Sequence, residues 1–484
     1  MDTSEHTPET PVTGALLIER GWAAGPAIGL ALHAVAQLAA QGAEKGAILS
    51  TLDAVHDAPE WYATDPVLGA LARHLTRPTV PESQIVQVRE APLDVPIWGR
   101  GMIDDAAVEQ IRDAMRLPVT VAGALMPDAH VGYGIPIGGV VALEGAVAPY
   151  MVGVDIACRM MMSIYPIPPS IFDNPSSRDG VRRAMREETR FGVGATFDRY
   201  HRREHEVNDD PDWRATRLLA QLQEKGAAQL GTSGSGNHFV DAGVLEVGEA
   251  GATALGIEPG SSMAFMSHSG SRGVGASIAD HYSKLAQKVT TLPQKMRHLA
   301  WLPMSSEEGQ EYWLSMNLAG RFASACHHTI HRALAKRMGE RPLAQVENHH
   351  NFAWREEWNG REVYVHRKGA TPAHRGVLGI IPGSQGHPSY IVRGLGSERS
   401  LNSASHGAGR VMSRTAARNS IPKRDRDTWL REMGIELLGG GVDEAPQVYK
   451  DIRQVLAVQS DLVEQLATFT PKIVLMSDDG RSED

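Results

Sequence analysis

A cysteine and an aspartate lie three residues apart in the segment V-G-V-D-I-A-C-R-M, residues 152–160. The chain has only two cysteines in 484 residues, Cys158 and Cys326. A thiolate, a carboxylate such as Asp155 and nearby imidazoles form a ligand set that suits divalent Mn, Zn, Co or Fe. A free cysteine is, however, most often a small buried apolar side chain. The segment alone therefore supports a metal ligand and a core residue equally.

Histidine recurs beside glycine and hydroxyl residues in further segments. They are M-P-D-A-H-V-G-Y-G-I-P-I-G-G, G-T-S-G-S-G-N-H-F-V-D, S-H-S-G-S-R-G-V-G, E-N-H-H-N-F-A, V-H-R-K-G-A-T, I-P-G-S-Q-G-H-P-S-Y and S-H-G-A-G-R. A lone histidine beside a strand is more often a hydrogen-bonded structural residue than a ligand. The recurrence indicates side chains mounted at strand ends, with backbone N–H groups available for phosphate.

Two of these segments place an arginine after a flexible turn. S-G-S-R-G ends near Arg272 and H-G-A-G-R ends at Arg410. A guanidinium in such a position suits forked recognition of a phosphate. The loop G-T-S-G-S-G has neither the G-K-[ST] of a Walker A motif nor the spacing of a Rossmann fingerprint. The sequence thus predicts phosphate chemistry outside both nucleotide-binding motifs.

The composition is that of an ordinary globular protein, with 42% hydrophobic and 22% charged residues. Two cysteines cannot form a disulfide framework and indicate a reducing compartment. The acidic start lacks the basic region of a secretory signal, and residues 25–40 favour an amphipathic helix over a membrane span. We therefore expect a cytoplasmic protein with no membrane association.

The net charge of −9 is unevenly distributed. Residues 1–80 hold nine acidic and four basic side chains, and residues 477–484 hold four acidic and one basic side chain. The body between them is therefore close to neutral, and binding to nucleic acid is not excluded. Residues 178–217 are rich in arginine with interspersed acids. This pattern favours a solvated helical face over an RNA-facing surface.

The elements that must position these side chains change in character along the chain. We predict a disordered start over 1–12, a helical extension over 13–90 with a linker around Pro78 and Pro81, and an acidic disordered tail over 477–484. Between them, short apolar runs such as G-G-V-V-A-L, M-A-F-M-S and E-V-Y-V-H predict strands. Apolar spacing predicts long helices over 308–338 and 447–467. The resulting fold class is α+β.

Taken in order, the motifs resemble those of the RtcB family of GTP-dependent RNA ligases. The resemblance runs from about residue 95 to residue 476 and includes D-A-H-x-G-Y-G-x-P-I-G-G, G-V-D-I-x-C-x-M, G-N-H-F, H-S-G-S-R-G, H-H-N, H-R-K-G-A-T, I-P-G-S-x-G, H-G-A-G-R and Y-K-D-I. It implies a single large catalytic domain over 91–476, with central mixed and antiparallel sheets flanked by helices. The helical N-terminal extension is not explained by the family core.

The resemblance also implies roles for individual residues. His406 matches the nucleophile that becomes guanylylated, Asp128 would lie beside the metals, and Arg272 and Arg410 would hold phosphates. Two manganese ions would share Cys158; the implied ligands are Asp155, Cys158, His238, His268 and His350. The implied contacts to the guanine nucleotide are Asn237, His238, Phe239, Asp241, His350, Asn351, Pro382, Gly383, Ser384, Gln385, Ser389, His406, Gly407, Ala408, Gly409, Tyr449 and Met476.

The implied activity joins RNA 3′-phosphate or 2′,3′-cyclic phosphate ends to 5′-hydroxyl ends with GTP, in RNA repair or tRNA splicing, with an accessory activating or repair protein as a further partner. One alternative is a metal-dependent 2′,3′-cyclic phosphodiesterase that does not ligate. Another is a non-catalytic partner that binds nucleotide or RNA. The intact His406 and the complete ligand set favour a catalyst over a purely binding protein.

Three departures from the family pattern are visible. Met476 stands where the family has a nucleotide-contacting lysine, and Lys472 lies four residues too early to replace it. Asp241 stands where glutamate is usual, and T-P-A-H-R replaces the end of the H-R-K-G-A-T-R motif. The first departure predicts altered nucleotide affinity or base choice, and the last predicts altered recognition of the RNA end.

Overall fold

A computed structural model describes residues 12–22, 26–76 and 85–478. The chain separates into two compact units, Met1–Gln84 and Ile85–Asp484. Pro78 and Pro81 of the predicted linker, almost all of the predicted disordered start and residues 479–484 of the predicted tail lie outside the described residues.

The first unit is helical in its described part. Its helices are α1 Gly14–Glu19, α2 Pro26–Ala40, α3 Lys45–Asp57 and α4 Gly69–Leu75. They pack around a small apolar core that includes Leu17, Leu52 and Leu71, all fully buried. Helix α2 covers most of the stretch predicted to be an amphipathic helix. No helix in the described part of the chain is both long enough and apolar enough to cross a membrane.

The second unit interleaves helices with strands. Its strands are β1 Thr120–His130, β2 Ile137–Leu143, β3 Ala146–Val147, β4 Arg159–Ile164, β5 Phe239–Val247, β6 Gly260–Ser269, β7 Leu302–Pro303, β8 Ala344–His349, β9 Asn351–Trp358, β10 Arg361–Lys368, β11 Ala370–Pro372, β12 Leu378–Ile381, β13 Ser389–Gly394, β14 Ser403–Ser405, β15 Glu436–Leu438 and β16 Val463–Met476. Its helices are α5 Asp105–Ala114, α6 Pro149–Val152, α7 Pro175–Glu188, α8 Arg217–Gln229, α9 Glu249–Leu255, α10 Arg272–Val289, α11 Glu307–Met338, α12 Arg414–Ser420, α13 Lys423–Glu432 and α14 Ile452–Ala457. The mixed α and β architecture predicted from the sequence is confirmed.

Two sheets dominate the second unit over residues 85–478. An eight-stranded sheet has the order β12-β13-β16-β5-β6-β4-β8, with β15 parallel to one part of β16. A four-stranded antiparallel sheet has the order β1-β2-β10-β9. The predicted strands G-G-V-V-A-L, M-A-F-M-S and E-V-Y-V-H fall in β2, β6 and β10. In an antiparallel sheet, the start of one strand lies beside the end of its neighbour. Polar segments that precede one strand and follow the next therefore meet at the same edge of the sheet.

The long helix predicted over 308–338 is confirmed as α11. Its first turn is capped by the Ser306 hydroxyl, which accepts from the Gly309 N–H at 3.2 Å, and carries Glu307 and Glu308 near the positive end of the helix dipole. Gly339 ends it at φ 73°, a left-handed conformation that glycine adopts without strain. The helix packs against β4 and β6 with most of one face buried.

The helix predicted over 447–467 is wrong. Only α14 within that range is α-helical, and Val463 begins the 14-residue strand β16. This strand lies inside the eight-stranded sheet between β13 and β5. Its pairing with β13 skips Leu466, a β-bulge that interrupts the alternation of the strand. Val463, Leu466 and Ala467 are therefore all buried, and together with the apolar residues of α14 they mimic the 3–4 spacing of one long helix.

Candidate active site

Four polar segments converge at one edge of the eight-stranded sheet. Cys158 immediately precedes β4 and His238 immediately precedes β5, whereas His268 lies near the end of β6 and His350 follows β8. The register pairs Phe239 with His268 across β5 and β6, and it pairs the first residue of β4 with the last residues of β6 and β8. The antiparallel register therefore brings four residues distant in sequence together.

Two groups of potential metal ligands share one sulfur atom. One group is Cys158, His268 and His350, and the other is Asp155, Cys158 and His238; within each group the ligand atoms lie within 4.8 Å of one another. The Cys158 Sγ atom is 3.1 Å from Nε2 of His268 and 3.6 Å from Nε2 of His238. The His238 Nε2 atom is 3.0 Å from Asp155 Oδ2. Sulfur, nitrogen and oxygen donors at these positions fit two divalent transition-metal ions.

Burial keeps two of the candidate histidine ligands, His268 and His350, neutral, as metal binding requires. Burial, with a smaller contribution from the charge of His238, lowers the pKa of His268 to about 3. Burial, followed by the charge of His406, also lowers the pKa of His350 well below its ordinary value. The Nδ1 atom of His268 donates to the Asn237 carbonyl at 3.0 Å, which leaves Nε2 as the ligand atom.

Asp155 remains an ionised ligand despite being buried. Burial raises the pKa of this carboxyl group, but the hydrogen bond and charge of His238 outweigh burial and hold the pKa below the ordinary value. Arg272 adds a smaller stabilising charge. A buried carboxylate with such neighbours is ready to bind a cation.

Two tight backbone features hold the Asp155–Cys158 turn. Ala157 has φ 59°, a left-handed conformation that costs an alanine of order 1 kcal/mol or more, and its N–H donates to the Asn351 carbonyl at 2.7 Å. A Cβ atom on Gly270 would lie 2.0 Å from Asp155 Oδ1. Glycine is therefore required at the place where the loop after β6 passes the carboxylate.

His406 is held by Asp128 at the same cavity. The Asp128 Oδ2 atom accepts from His406 Nδ1 at 2.7 Å, from the His406 backbone N–H at 3.1 Å and from the Gly407 N–H at 3.3 Å. The His406 ring centroid is 4.9 Å from that of His350. With Nδ1 engaged by the carboxylate, Nε2 of a neutral His406 carries the lone pair.

Gly409 lets the chain pass close to Asp128. It has φ 75°, and a Cβ atom there would lie 2.0 Å from the Asp128 carbonyl oxygen. Any other residue would both strain the backbone and push the segment away. The H-G-A-G-R segment thus fits around the residue that orients its histidine.

The predicted residues surround a cavity of about 650 Å³. Of the predicted residues, those lining it are Asp155, Cys158, Asn237, Phe239, Asp241, His268, His350, Asn351, Pro382, Gly383, Ser384, Gln385, Ser389, His406, Gly407, Ala408, Gly409, Arg410, Tyr449 and Met476. A cavity of this size suits a nucleotide-sized ligand. Four of the candidate metal ligands, His406 and the glycine-rich loops therefore line one cavity.

The RtcB-like motifs imply nucleotide contacts at Asp241, Gln385 and Met476, so we call these three residues and Val474 the base end of the cavity; Val474 and Met476 are apolar. Asp241 pairs with Val474 across β5 and β16, and Met476 is the next same-face residue on β16. Burial raises the pKa of Asp241 well above the ordinary value, which favours the neutral carboxyl group. The Gln385 amide N–H donates to the Met476 sulfur at 3.0 Å.

An arginine cluster lies beside His406. Arg410 donates to the Asp443 carbonyl at 2.7 Å, and Arg414 forms an ion pair with Glu444. The Tyr449 hydroxyl also donates to Glu444. Arg410, Arg414 and Glu444 all line the cavity. Carboxylates thus fix two guanidinium groups at a wall where a phosphate can be bound.

Comparison with known proteins identifies the family. The profile of tRNA-splicing ligase RtcB matches residues 110–214 and 173–477. RNA-splicing ligase RtcB of Escherichia coli K12 is 33% identical over 417 residues, covering 80% of this chain and 97% of the relative. tRNA-splicing ligase RtcB of Nanoarchaeum equitans is 32% identical (77% and 92% covered), and that of Thermococcus kodakarensis is 31% identical (74% and 88% covered). The chain belongs to the RtcB family.

Not every implied RtcB position lines the cavity. Asp128 and His238 are not among the lining residues; Asp128 contacts the site through its hydrogen bond to His406, and His238 through its hydrogen bond to Asp155. Arg272 is buried, donating to Thr232 Oγ1 at 3.2 Å and to the Gly192 carbonyl at 2.9 Å. Its placement favours an electrostatic role toward Asp155 over the direct phosphate contact expected from the RtcB motifs.

Several residues to which the sequence motifs gave no role also line the cavity. Lys368 lies in the quoted H-R-K segment, and its ammonium donates to the Tyr133 and Tyr150 carbonyls. Arg414 lies four residues after Arg410, and Tyr133 lies in the quoted segment D-A-H-V-G-Y-G. Asp104 and Glu444 lie in segments with no distinctive pattern. The motifs could have indicated Tyr133 and Arg414, but no signal in the sequence indicates the other two.

Proposed function

We propose that this chain is an RNA ligase that joins RNA 3′-phosphate or 2′,3′-cyclic phosphate ends to 5′-hydroxyl ends, with GTP and a guanylylated His406. The observation that carries the proposal is the shared cavity. His406, oriented by Asp128 at 2.7 Å, stands beside His350 of a two-metal ligand set. The named activities of the RtcB relatives support the same reaction class.

His406 is arranged to act as a nucleophile. Asp128 accepts the Nδ1 proton and leaves the Nε2 lone pair facing the cavity, the arrangement by which a carboxylate orients a reactive imidazole. Attack of Nε2 on the α-phosphorus of GTP forms a P–N bond and breaks the bond to the β-phosphate oxygen, releasing pyrophosphate. The positive charge that develops on the ring is stabilised by Asp128.

Three further displacements complete the reaction on a cyclic phosphate end. Water first opens a cyclic end to a 3′-phosphate. An oxygen of that phosphate attacks the guanylyl phosphorus, the P–N bond breaks and His406 recovers its lone pair. The 5′-hydroxyl oxygen of the second strand then attacks the activated 3′-phosphate and GMP leaves. The RNA joined in this way has one ordinary phosphodiester.

The candidate metal ligands and two arginines would each contribute to stabilising the negative charge of the phosphates. Asp155, Cys158, His238, His268 and His350 would hold two divalent ions, for which we propose manganese, and these ions supply Lewis-acid stabilisation of phosphate charge when bound. Arg410 and Arg414 are fixed at the cavity wall by Asp443 and Glu444. They are placed to bind phosphate oxygens of the nucleotide or the RNA end.

Labelling with α-³²P-GTP tests the proposal directly. The native chain with Mn(II) is expected to become covalently labelled in an acid-labile, base-stable bond, as a phosphoramidate requires. His406→Ala should remain unlabelled while binding the same amount of Mn(II). An unlabelled native chain under several divalent metals would contradict the ligase proposal.

A cyclic phosphodiesterase is the second candidate, favoured by one observation. Both groups of candidate metal ligands are complete. At the base end, however, Met476 stands where the family has a nucleotide-contacting lysine, so this end lacks the positive charge of that lysine. Incubation of a 2′,3′-cyclic-phosphate RNA with Mn(II), with and without GTP and a 5′-hydroxyl RNA, separates the two. Opening of the end without any joined product would favour the phosphodiesterase.

A further inference from the structure

A buried chain of hydrogen bonds runs along the face of the central sheet opposite His268. It links Gln345, Ser163, His331, Ser267 and His327 to the Ser269 carbonyl. Side chains alternate between the faces of a strand, so Ser267 and Ser269 face α11 while His268 faces the metal groups. We call these five side chains the α11 relay; the reaction proposed above uses none of them.

The relay is tightly bonded, and all of its side chains except the terminal Gln345, which is exposed, are buried. Gln345 Nε2 to Ser163 Oγ, Ser163 Oγ to His331 Nδ1, and His331 Nε2 to Ser267 Oγ are each 2.8 Å. Ser267 Oγ to His327 Nδ1 is 2.6 Å, and His327 Nε2 to the Ser269 oxygen is 3.1 Å. Both histidines and both serines are at most 1% exposed.

The hydrogen bonds can run in only one direction. A carbonyl oxygen only accepts, so His327 donates from Nε2 to Ser269 and, being neutral, must accept at Nδ1. The Ser267 hydroxyl therefore donates to His327 and accepts from Nε2 of His331.

The same logic continues to the other end of the relay. His331 accepts at Nδ1 from the Ser163 hydroxyl, which in turn accepts from the Gln345 amide. Burial holds the pKa of His331 at about 3 and that of His327 well below its ordinary value, which agrees with two neutral rings. Reversing the direction of any hydrogen bond in the relay would leave a buried polar group without a partner.

The relay affects the candidate metal site because it holds both chain neighbours of His268. Ser267 precedes the ligand and is held at its hydroxyl, and Ser269 follows it and is held at its carbonyl. Both anchors come from α11, a 32-residue helix with much of its surface buried. We propose that Ser267, His327 and His331 are positioning residues that set the backbone of β6, and thereby the direction of the His268 imidazole toward its metal. The proposal rests on the metal centre proposed above.

Cobalt(II) binding to the full chain tests the proposal without measuring activity. The visible spectrum of bound Co(II) reports ligand geometry, and competition with a chelator gives its affinity. Ser267→Ala breaks the middle of the relay and should weaken Co(II) binding, with an altered visible spectrum; because the relay acts on His268 through the backbone, we expect a loss of at most about 10-fold, the lower end of the range for hydrogen bonds made directly to a metal ligand. Ser267→Thr keeps the hydroxyl and should restore both.

Tyr312→Phe is the matched control. It removes a fully buried hydroxyl group from the same helix, and that hydroxyl has no hydrogen-bond partner among the described residues. Its Co(II) affinity and spectrum should equal those of the native chain. A merely structural role for the relay would lower the melting temperature of Ser267→Ala while leaving the Co(II) affinity and spectrum of the folded protein unchanged.

The outcomes separate this proposal from the proposed function. A native chain that binds no Co(II) overturns the metal centre and, with it, the positioning role. A native chain that binds Co(II) while folded Ser267→Ala matches it in affinity and spectrum overturns the positioning role alone. If Ser267→Ala does not fold, Ser163→Ala decides: a smaller loss in the same direction supports the proposal, and native affinity contradicts it.

Discussion

One end of the cavity holds the two groups of candidate metal ligands, and we call it the metal end. It differs from the base end in how the polar atoms are partnered. At the metal end, Sγ of Cys158 and Nε2 of His268 are 3.1 Å apart and Nδ1 of His268 is held by the Asn237 carbonyl, whereas Nδ1 of His350 is buried with no hydrogen-bond partner among the described residues. At the base end, one oxygen of Asp241 and the amide oxygen of Gln385 are buried with no hydrogen-bond partner among the described residues. A buried polar atom without a partner costs about 1–3 kcal/mol, so the base end is organised for a group that the ligand supplies.

This difference indicates separate tasks. The metal end is preorganised before any ligand arrives, which suits chemistry on phosphate. The base end gains its missing hydrogen bonds only when a ligand binds, which suits discrimination among ligands. Variants at the two ends should therefore fail in different ways.

Loss of the shared sulfur should have the largest effect. Cys158→Ala removes a donor common to both metal groups, so both ions should bind more weakly and labelling by GTP should fall more than about 100-fold. Metal content after gel filtration and labelling with α-³²P-GTP measure the two effects. Native labelling by a folded Cys158→Ala protein would contradict the assignment of the metal end.

Removing the carboxylate that orients His406 should have the next largest effect. Asp128→Asn keeps the shape but cannot accept all three hydrogen bonds, so His406 loses its orientation and its stabilised charge. Labelling should slow by about 10²–10⁴-fold, while Mn(II) affinity stays native. A variant that loses metal instead would show that Asp128 belongs to the metal end.

The protonation of Asp241 distinguishes the base end by a smaller effect. Because burial raises its pKa well above the ordinary value, the neutral amide in Asp241→Asn should mimic it, changing the KM for GTP less than about threefold. Asp241→Leu removes the hydrogen-bonding group and should raise the KM about tenfold, the equivalent of one lost buried hydrogen bond. An equal loss in both variants would mean that the ionised carboxylate is needed.

The second cysteine should show the smallest effect. Cys326 lies on α11, is fully buried, and has its pKa raised by burial to about 11, so it stays a thiol. Cys326→Ala should leave metal content and labelling native and lower the free energy of unfolding by about 1 kcal/mol. Loss of metal from this variant would remove the distinction between the two cysteines.

The sequence predicts the metal end better than the arrangement around it. Cys158, His268 and His350 stand in short motifs whose residue types are unusual enough to be recognised. Their convergence depends on antiparallel register across β4, β6 and β8, which no local pattern encodes. The spacing of Asp155 and Cys158 alone left metal binding and core packing equally supported; partners from distant strands distinguish them.

The wrong helix has a physical cause of the same kind. The range 447–467 holds the short helix α14 and only the start of β16, where a β-bulge keeps Val463, Leu466 and Ala467 buried at helix-like spacing. The phosphate contact expected of Arg272 stays a prediction; its guanidinium donates to the Gly192 carbonyl and the Thr232 hydroxyl.

Covalent labelling of the native chain and His406→Ala with each of the four α-³²P-labelled NTPs and Mn(II) tests the central claim most directly. We expect one acid-labile label on the native chain from GTP, and none on His406→Ala despite native Mn(II) content. Labelling by another NTP alone would retain His406 as nucleophile and revise the base end. Equal labelling of His406→Ala, or no label on the native chain with any nucleotide, would contradict the account.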